Sequence, residues 1–152
     1  MNNGTFSFAE VKRIYSDSKI KKSSLISQHI LLLCENSLEI FSIEDEAQRL
    51  ISSNASLVDM TVSNREHPVI FVLRTDGTIS VVKIDSNENS FSNQIKDFQD
   101  NSSVSLFYSK KYQSLFIGHS TSICSQIKLE NIDMGPDVSV GRRTNIEVCM
   151  IN

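Results

Sequence analysis

Val69-Ile70-Phe71-Val72-Leu73-Arg74-Thr75-Asp76-Gly77-Thr78-Ile79-Ser80-Val81-Val82-Lys83-Ile84-Asp85 is the stretch that decides the fold. It opens on an unbroken apolar run, Val69 to Leu73, and closes on a second run rich in β-branched residues. Asp76-Gly77 between two such runs predicts a β-hairpin, because a tight type I′ turn needs φ > 0 at its central residues and Asp-Gly meets that need.

The rest of the chain reads as further copies of this hairpin. Upstream, His29 to Leu33 is a largely apolar run, Cys34-Glu35-Asn36-Ser37 a turn, and Leu38 to Ile43 a strand. A shift of 41 residues superposes Leu38-Glu39-Ile40-Phe41-Ser42-Ile43 on Ile79-Ser80-Val81-Val82-Lys83-Ile84. Downstream, a shift of 45 superposes Phe71-Val72 on Phe116-Ile117 and Val82-Lys83-Ile84 on Ile127-Lys128-Leu129. In that third copy Asp76-Gly77 becomes Thr121-Ser122. Leu57 to Val62 and Val104 to Tyr108 read as strands before the second and third hairpins, and Ala47 to Ile51 and Phe91 to Phe98 as strands after the first and second. The N-terminal region allows a short strand at Thr5 to Phe8 and a strand or a helical turn at Val11 to Tyr15, and Lys19 to Lys22 reads as a basic loop.

About four short strands in each 41 to 45 residues is the signature of propeller blades. The expected fold is all-β: three four-stranded antiparallel blades of an incomplete β-propeller, over 5–55, 56–100 and 101–140. Residues 144–152 would begin a further blade, and the apolar end at Ile151 suggests truncation. In a propeller the inner strands are buried on both faces, as Ile30 to Leu33 and Val69 to Leu73 are suited to be. Strands further out should carry the polar residues, Glu39, Ser42, Ser80 and Lys83 among them. Propellers close with about 4–8 blades, so further blades or a partner chain would be needed to complete the ring. The rival architecture is a β-sandwich of about seven to ten strands.

The copies resemble degenerate WD-repeat blades without the Trp-Asp dipeptide; the sequence contains no Trp. More narrowly, ILLLCENSLEIFSI, Ile30 to Ile43, resembles the opening blades of the family of the large damaged-DNA-binding protein and the large subunit of the cleavage and polyadenylation specificity factor. That resemblance implies a nuclear multi-propeller scaffold in a ubiquitin-ligase or RNA-processing assembly. Nucleoporin and vesicle-coat propellers fit the same general pattern.

Composition narrows the classes further. Hydrophobic content of 39% with 22% charged residues is globular, and a net charge of −3 offers no overall basic field for nucleic acid. The longest apolar run is about five residues, against the roughly 18 of a membrane span. Cys34, Cys124 and Cys149 are an odd number without CxxC spacing, which points to a reducing compartment rather than a disulfide framework.

Motifs that carry chemistry are scarce. Gly118-His119-Ser120-Thr121-Ser122 lacks the final Gly of a nucleophile elbow. His29, His67 and His119 have no paired-ligand spacing, although His29 and His119 could approach each other across blades. Glu44-Asp45-Glu46 reads as a solvated turn, and Arg142-Arg143 as a loop. The expectation is therefore no catalytic site, no metal and no cofactor. The predicted function is a non-catalytic scaffold in the nucleus rather than the cytoplasm, bound to other protein subunits, without membrane or direct nucleic-acid contact. Its partner-binding residues would be Glu35, Asn36, Arg74, Asp76, Ser120 and Thr121, on turns sharing one rim, flanked by linkers near Ser53–Ser56 and Asn101–Ser103. The competing classes are a propeller-fold hydrolase and a nucleic-acid-binding β module.

Overall fold

A computed structural model describes residues 4–5, 7, 9, 13–63, 68–84, 91, 93–95, 103–121, 123–130 and 139–147. They form β1 (Ile20–Ile26), β2 (His29–Cys34), β3 (Ser37–Ser42), β4 (Gln48–Ser52), β5 (Leu57–Ser63), β6 (Val69–Arg74), β7 (Ile79–Lys83), β8 (Asn93–Ile95), β9 (Ser103–Ser109), β10 (Ser114–His119), β11 (Ile123–Glu130) and β12 (Ser139–Glu147). Each successive set of four is one antiparallel meander, giving three sheets: β1–β4, β5–β8 and β9–β12. The all-β fold of three blade-like sheets agrees with the sequence reading.

Register shows how closely the sheets repeat. Leu31, Phe71 and Phe116 stand opposite Ser24, Thr61 and Phe107 on the preceding strand. They stand opposite Ile40, Val81 and Gln126 on the following one. Two residues further along, Leu33, Leu73 and Gly118 pair with Lys22, Asp59 and Ser105. Lys22, Asp59 and Ser105 are therefore equivalent positions on the first strands.

The second sheet lies between the other two, and this explains its composition. Side chains alternate across a strand, so a sheet covered on both faces needs apolar residues at every position. Ile70, Val72, Val82 and Ile84 join one buried cluster with Ile26, Leu31, Leu33, Leu38, Ile40 and Ile51 of the first sheet. Val69, Phe71, Leu73, Ile79 and Val81 join another with Leu106, Tyr108, Leu115, Ile117, Ile127 and Leu129 of the third. The Phe71 and Tyr108 rings stack across that second interface with centroids 5.9 Å apart.

Polar ties between sheets meet at Asp59 on β5. Its Oδ1 accepts the Lys22 ammonium at 2.7 Å and its own strand's Met60 N–H at 2.8 Å. Its Oδ2 accepts the Leu106 N–H from β9 at 2.8 Å. One carboxylate, 15% exposed, thus joins all three sheets. Beside it the Tyr108 N–H donates to Thr61 Oγ1 at 3.0 Å, and Lys22 donates to the Met60 carbonyl at 2.9 Å. Toward the outer strands, Arg49 on β4 donates to the Lys83 and Ile84 carbonyls at 2.9 and 3.2 Å.

Several expectations are corrected. Ile20 to Lys22 are strand β1, not a loop. Lys21 and Lys22 hold the second sheet, the former donating to the Leu57 carbonyl at 2.6 Å. The Asp-Gly turn is not type I′. Gly77 has φ 81°, while Asp76 is absent from the residues with positive φ. Gly77 N–H bonds the Arg74 carbonyl, and Arg74 N–H bonds the Thr78 carbonyl. This is a three-residue loop, in which a four-residue turn ends on a left-handed glycine. Residues 144–147 do not open a further blade, because β12 completes the third sheet; 148–152 lie outside the described residues. The first strand among the described residues is β1 at Ile20; Arg13–Tyr15 are in no strand, and Phe6, Phe8, Val11 and Lys12 lie outside the described residues. The strand expected at Phe91 to Phe98 is described only at Asn93–Ile95.

The polar gradient also differs from expectation. The apolar runs β2 and β6 are second in their sheets, and the first strands β1, β5 and β9 lie toward one another. Glu39 and Ser80 on the third strands are as buried as their apolar neighbours.

Removing the Asp59 carboxylate leaves the Leu106 N–H without its acceptor and the Lys22 ammonium with the Met60 carbonyl alone. Asp59→Ala should lower stability by about 2–4 kcal/mol. Lys22→Met, at a half-exposed cation, should cost under about 1 kcal/mol. Urea midpoints of the two variants test that order.

Candidate functional site

The six residues expected to bind partners lie at the β2–β3, β6–β7 and β10–β11 connections, Arg74 as the last residue of β6 and the others in the loops. These are equivalent ends of the three sheets. The first two loops are joined by the connection between sheets. Ser53 N–H donates to the Asn36 carbonyl at 2.8 Å, and Leu57 N–H to the Glu35 carbonyl at 2.7 Å. Thr75 N–H donates to the Ser56 carbonyl at 2.9 Å. The linker Ser53–Ser56 is therefore a bonded strip that carries both loops. Its own turn is closed by Ser53 Oγ, which donates to the Ala55 carbonyl and accepts the Ala55 N–H.

Each side chain on this rim has a distinct setting. Glu35 is exposed and pairs with Lys21 at 2.9 Å. The hydrogen bond from Lys21, then that from Ser56, holds its carboxyl below the ordinary 4.5. Asn36 Oδ1 accepts the Ser56 hydroxyl at 3.4 Å. The Arg74 guanidinium lies 4.9 Å from the centroid of the Phe91 ring, a cation–π contact. Asp76 accepts the Thr78 hydroxyl at 2.6 Å and the Thr78 N–H at 3.0 Å. Burial pushes the Asp76 carboxyl up. The two Thr78 bonds and the Arg74 charge outweigh it and hold the group below its ordinary 3.8.

Ser120 and Thr121 are exposed at the corresponding end of the third sheet, and Ser122 lies outside the described residues. The structure brings the Glu35–Asn36 and Arg74–Asp76 loops together through Ser53–Ser56. It shows no contact from either to Ser120 or Thr121 among the described residues. Of the second linker, Asn101 and Ser102 lie outside the described residues.

Other candidates resolve differently. His29 begins β2 and His119 ends β10, so they stand at opposite ends of non-adjacent sheets and do not approach each other. His119 is buried, with Nε2 2.8 Å from Ser125 Oγ and Nδ1 3.3 Å from Ser103 Oγ. His67 lies outside the described residues. Among the described residues no group of three or more His, Cys, Asp or Glu is placed to hold a metal ion. Cys34 and Cys124 are free thiols, and Cys149 lies outside the described residues. Glu44–Glu46 form an exposed turn, where the Ser42 hydroxyl and the Ala47 N–H lower the Asp45 carboxyl. Arg142 and Arg143 belong to β12, not a loop. Among the described residues no helix is long and apolar enough to cross a membrane.

Sequence reading named Ser56 only within a flanking linker and missed Lys21 and Thr78, whose partners are 14 and two residues away. Only Thr78 carried a local signal, since Asp-x-Thr allows the carboxylate to bond two residues on.

No family model matches the sequence, and no curated protein matches it. Solved structures do. Hsv2 of Kluyveromyces marxianus superposes with a TM-score of 0.62 at 15% identity, over 88% of this chain and 51% of that one. Kluyveromyces lactis Hsv2 gives 0.58 at 14%, over 85% and 48%. A chain of the Saccharomyces cerevisiae assembly of Dbp5 bound to Nup159, Gle1, IP6 and ADP gives 0.50 at 10%, over 82% and 37%. This chain spans about half the length of the Hsv2 structures it matches. The fold is that of consecutive β-propeller blades, without a closed ring among the described residues.

The lowered Asp76 carboxyl has a consequence for acid stability. As pH falls, the unfolded chain takes up the proton before the folded one does. The contribution of Asp76 is therefore complete above about pH 5 and is lost as pH falls through its depressed folded value. Asp76→Asn should lower the melting temperature at pH 7 and make its decline between about pH 5 and 3 shallower than in the parent chain. Thermal melts across that range give the comparison.

Proposed function

We propose that this chain is a non-catalytic protein-interaction scaffold: a WD-like propeller segment that presents one rim of loops to other protein subunits. The carrying observation is the bonded strip Ser53–Ser56, which fixes the Glu35–Asn36 and Thr75–Asp76 loops to each other by backbone hydrogen bonds. Loops held this way offer charged side chains at low ordering cost, as a recurrent docking surface requires. Glu35, Asn36, Arg74 and Asp76 form the proposed core of the contact, and Ser120 and Thr121 extend it along the third sheet. Further blades or a partner chain complete the ring.

The setting we favour is a multiprotein complex in the nucleus, in a ubiquitin-ligase adaptor or RNA-processing assembly. The resemblance of Ile30–Ile43 supports it, and free Cys34 and Cys124 agree with a reducing compartment. The likeness to a chain of the Nup159-containing assembly favours a second reading, a nucleoporin-type propeller.

Affinity capture with quantitative mass spectrometry tests the rim. Glu35→Lys combined with Arg74→Glu and Asp76→Lys should reduce the captured partners at least about tenfold, the loss of roughly 1.4 kcal/mol of binding. Lys111→Glu, on the β9–β10 turn at the opposite end, should leave them unchanged. Capture that survives the triple reversal would reject this rim.

A further inference from the structure

The face of the first sheet that turns away from the second is covered by the chain's own residues 13–16. Leu31 and Leu33 join the cluster shared with the second sheet, so strand alternation turns Leu32 and Cys34 the other way. Glu39 stands opposite Leu32 and shares that face. All three are buried, Leu32 at 6%, Glu39 at 3% and Cys34 at 0% exposed. The covering segment is in no strand. It is a strap laid over the sheet, not a fifth strand of it.

Ser16 fastens the strap. Its hydroxyl donates to Glu39 Oε1 at 2.7 Å, accepts the Ser18 N–H at 3.2 Å and lies 3.7 Å from Cys34 Sγ. Glu39 Oε2 has no hydrogen-bond partner among the described residues. A buried carboxylate so sparingly met is sensitive to any change in the donor it has. The strap is also loosely seated. Between it and the sheet lies a cavity of about 340 Å³, lined by Ile14 and Tyr15 on one side and by Ile30, Phe41 and Ile43 on the other. A segment over a void makes fewer dispersion contacts, and it opens more readily than a packed strand.

The sequence of the strap adds a second signal. Arg13-Ile14-Tyr15-Ser16 sets a guanidinium three residues before the hydroxyl. Ser16 is half-buried, and Arg13, Tyr15, Asp17 and Ser18 around it are exposed. A protein kinase binds its substrate as an irregular, extended segment, and one that reads arginine meets it with carboxylates. The chain holds one other Arg-x-x-Ser, Arg49-Leu50-Ile51-Ser52, and it is unsuited. It lies in β4, and the Arg49 guanidinium is bonded to the Lys83 and Ile84 carbonyls.

We propose that Ser16 is a phosphorylation site for an arginine-directed protein kinase, and that the phosphoryl group lifts residues 13–16 off the first sheet. The γ-phosphoryl group of ATP passes to Ser16 Oγ. The bond from the γ-phosphorus to the bridging oxygen breaks, a phosphorus–Oγ bond forms, the hydroxyl proton goes to the catalytic base of the kinase, and ADP leaves. The donor that met Glu39 is thereby replaced by three strong acceptors carrying about −1.5 to −2 charges. An anion set against a buried carboxylate is repelled, and neither group is solvated while the strap stays down. Release relieves both costs and opens Leu32, Cys34 and Glu39 to water. The inference needs neither the partners at the rim nor a closed ring.

The test incubates the 152-residue chain with magnesium ATP and a purified arginine-directed kinase, and peptide mass spectrometry locates the phosphoryl group. It is expected on Ser16, and Arg13→Ala should lower its incorporation there at least about tenfold. No phosphoryl group at Ser16, or incorporation indifferent to Arg13→Ala, overturns the site. Strap release is read from alkylation of Cys34 by iodoacetamide. Phosphorylation should speed it at least about tenfold, while the β6 amides keep their protection from hydrogen exchange. An unchanged Cys34 rate overturns the release, and so does lost protection in β6, which would mean that the whole fold had opened. Glu39→Gln keeps an acceptor for the Ser16 hydroxyl and offers an amide donor to the phosphoryl group. In that variant phosphorylation should change the Cys34 rate by less than about twofold. Ser16→Ala removes the donor without adding charge and should speed Cys34 less than phosphorylation does. A full rise in either variant would take the charge of Glu39 or of the phosphoryl group out of the mechanism and overturn the proposal.

Discussion

The fold depends on the carboxylate of Asp59. Sheets that pack face to face share apolar surface, but apolar contact alone does not set their register. Asp59 adds direction. It accepts a cation from the sheet before it and a backbone N–H from the sheet after it, while bonding its own strand. A carboxylate so enclosed is tolerable only because donors meet both of its oxygens. Thr61, two residues on, adds a second directed bond to the third sheet. Together they fix how far β9 slides against β5, and this sets the Phe71–Tyr108 stack and the cluster around it.

That register also places the rim. The link between the first and second sheets ends at Leu57, where β5 begins. With β5 held to the first sheet through Lys21 and Lys22, the linker Ser53–Ser56 runs between the two loops and bonds to both. The proposed contact surface is thus a consequence of how sheets stack. Its side chains are partly occupied already, Glu35 by Lys21, Arg74 by Phe91 and Asp76 by Thr78. Occupied side chains are ordered side chains, and a partner meeting them gives up less entropy on binding.

Much of this was legible in the residues. The unbroken apolar runs at Ile30–Leu33 and Val69–Leu73 marked strands covered on both faces, and the second sheet is covered so. The spacing of 41 to 45 residues matched the observed repeat of four strands. Other elements were not legible. Ile20–Lys22 looked like a basic loop because its lysines find their partners 14 to 38 residues away, and no local pattern reports such distances. The Asp-Gly turn was placed correctly but given the wrong geometry. The same dipeptide serves two loop lengths, and the choice lies in how the flanking strands pair.

By itself the sequence determined the local matters: strands rather than helices, the number of repeats, the positions of the three loops and the face-by-face apolar pattern. These follow from periodicity and turn chemistry, which act over a few residues. Only the tertiary structure decided which strands lie toward one another, that one aspartate joins three sheets, and that the linker fastens two loops into one surface. Those facts depend on contacts between residues distant along the chain. Each sheet's position is set by the one packed on it, and that information has no counterpart in any single stretch of sequence.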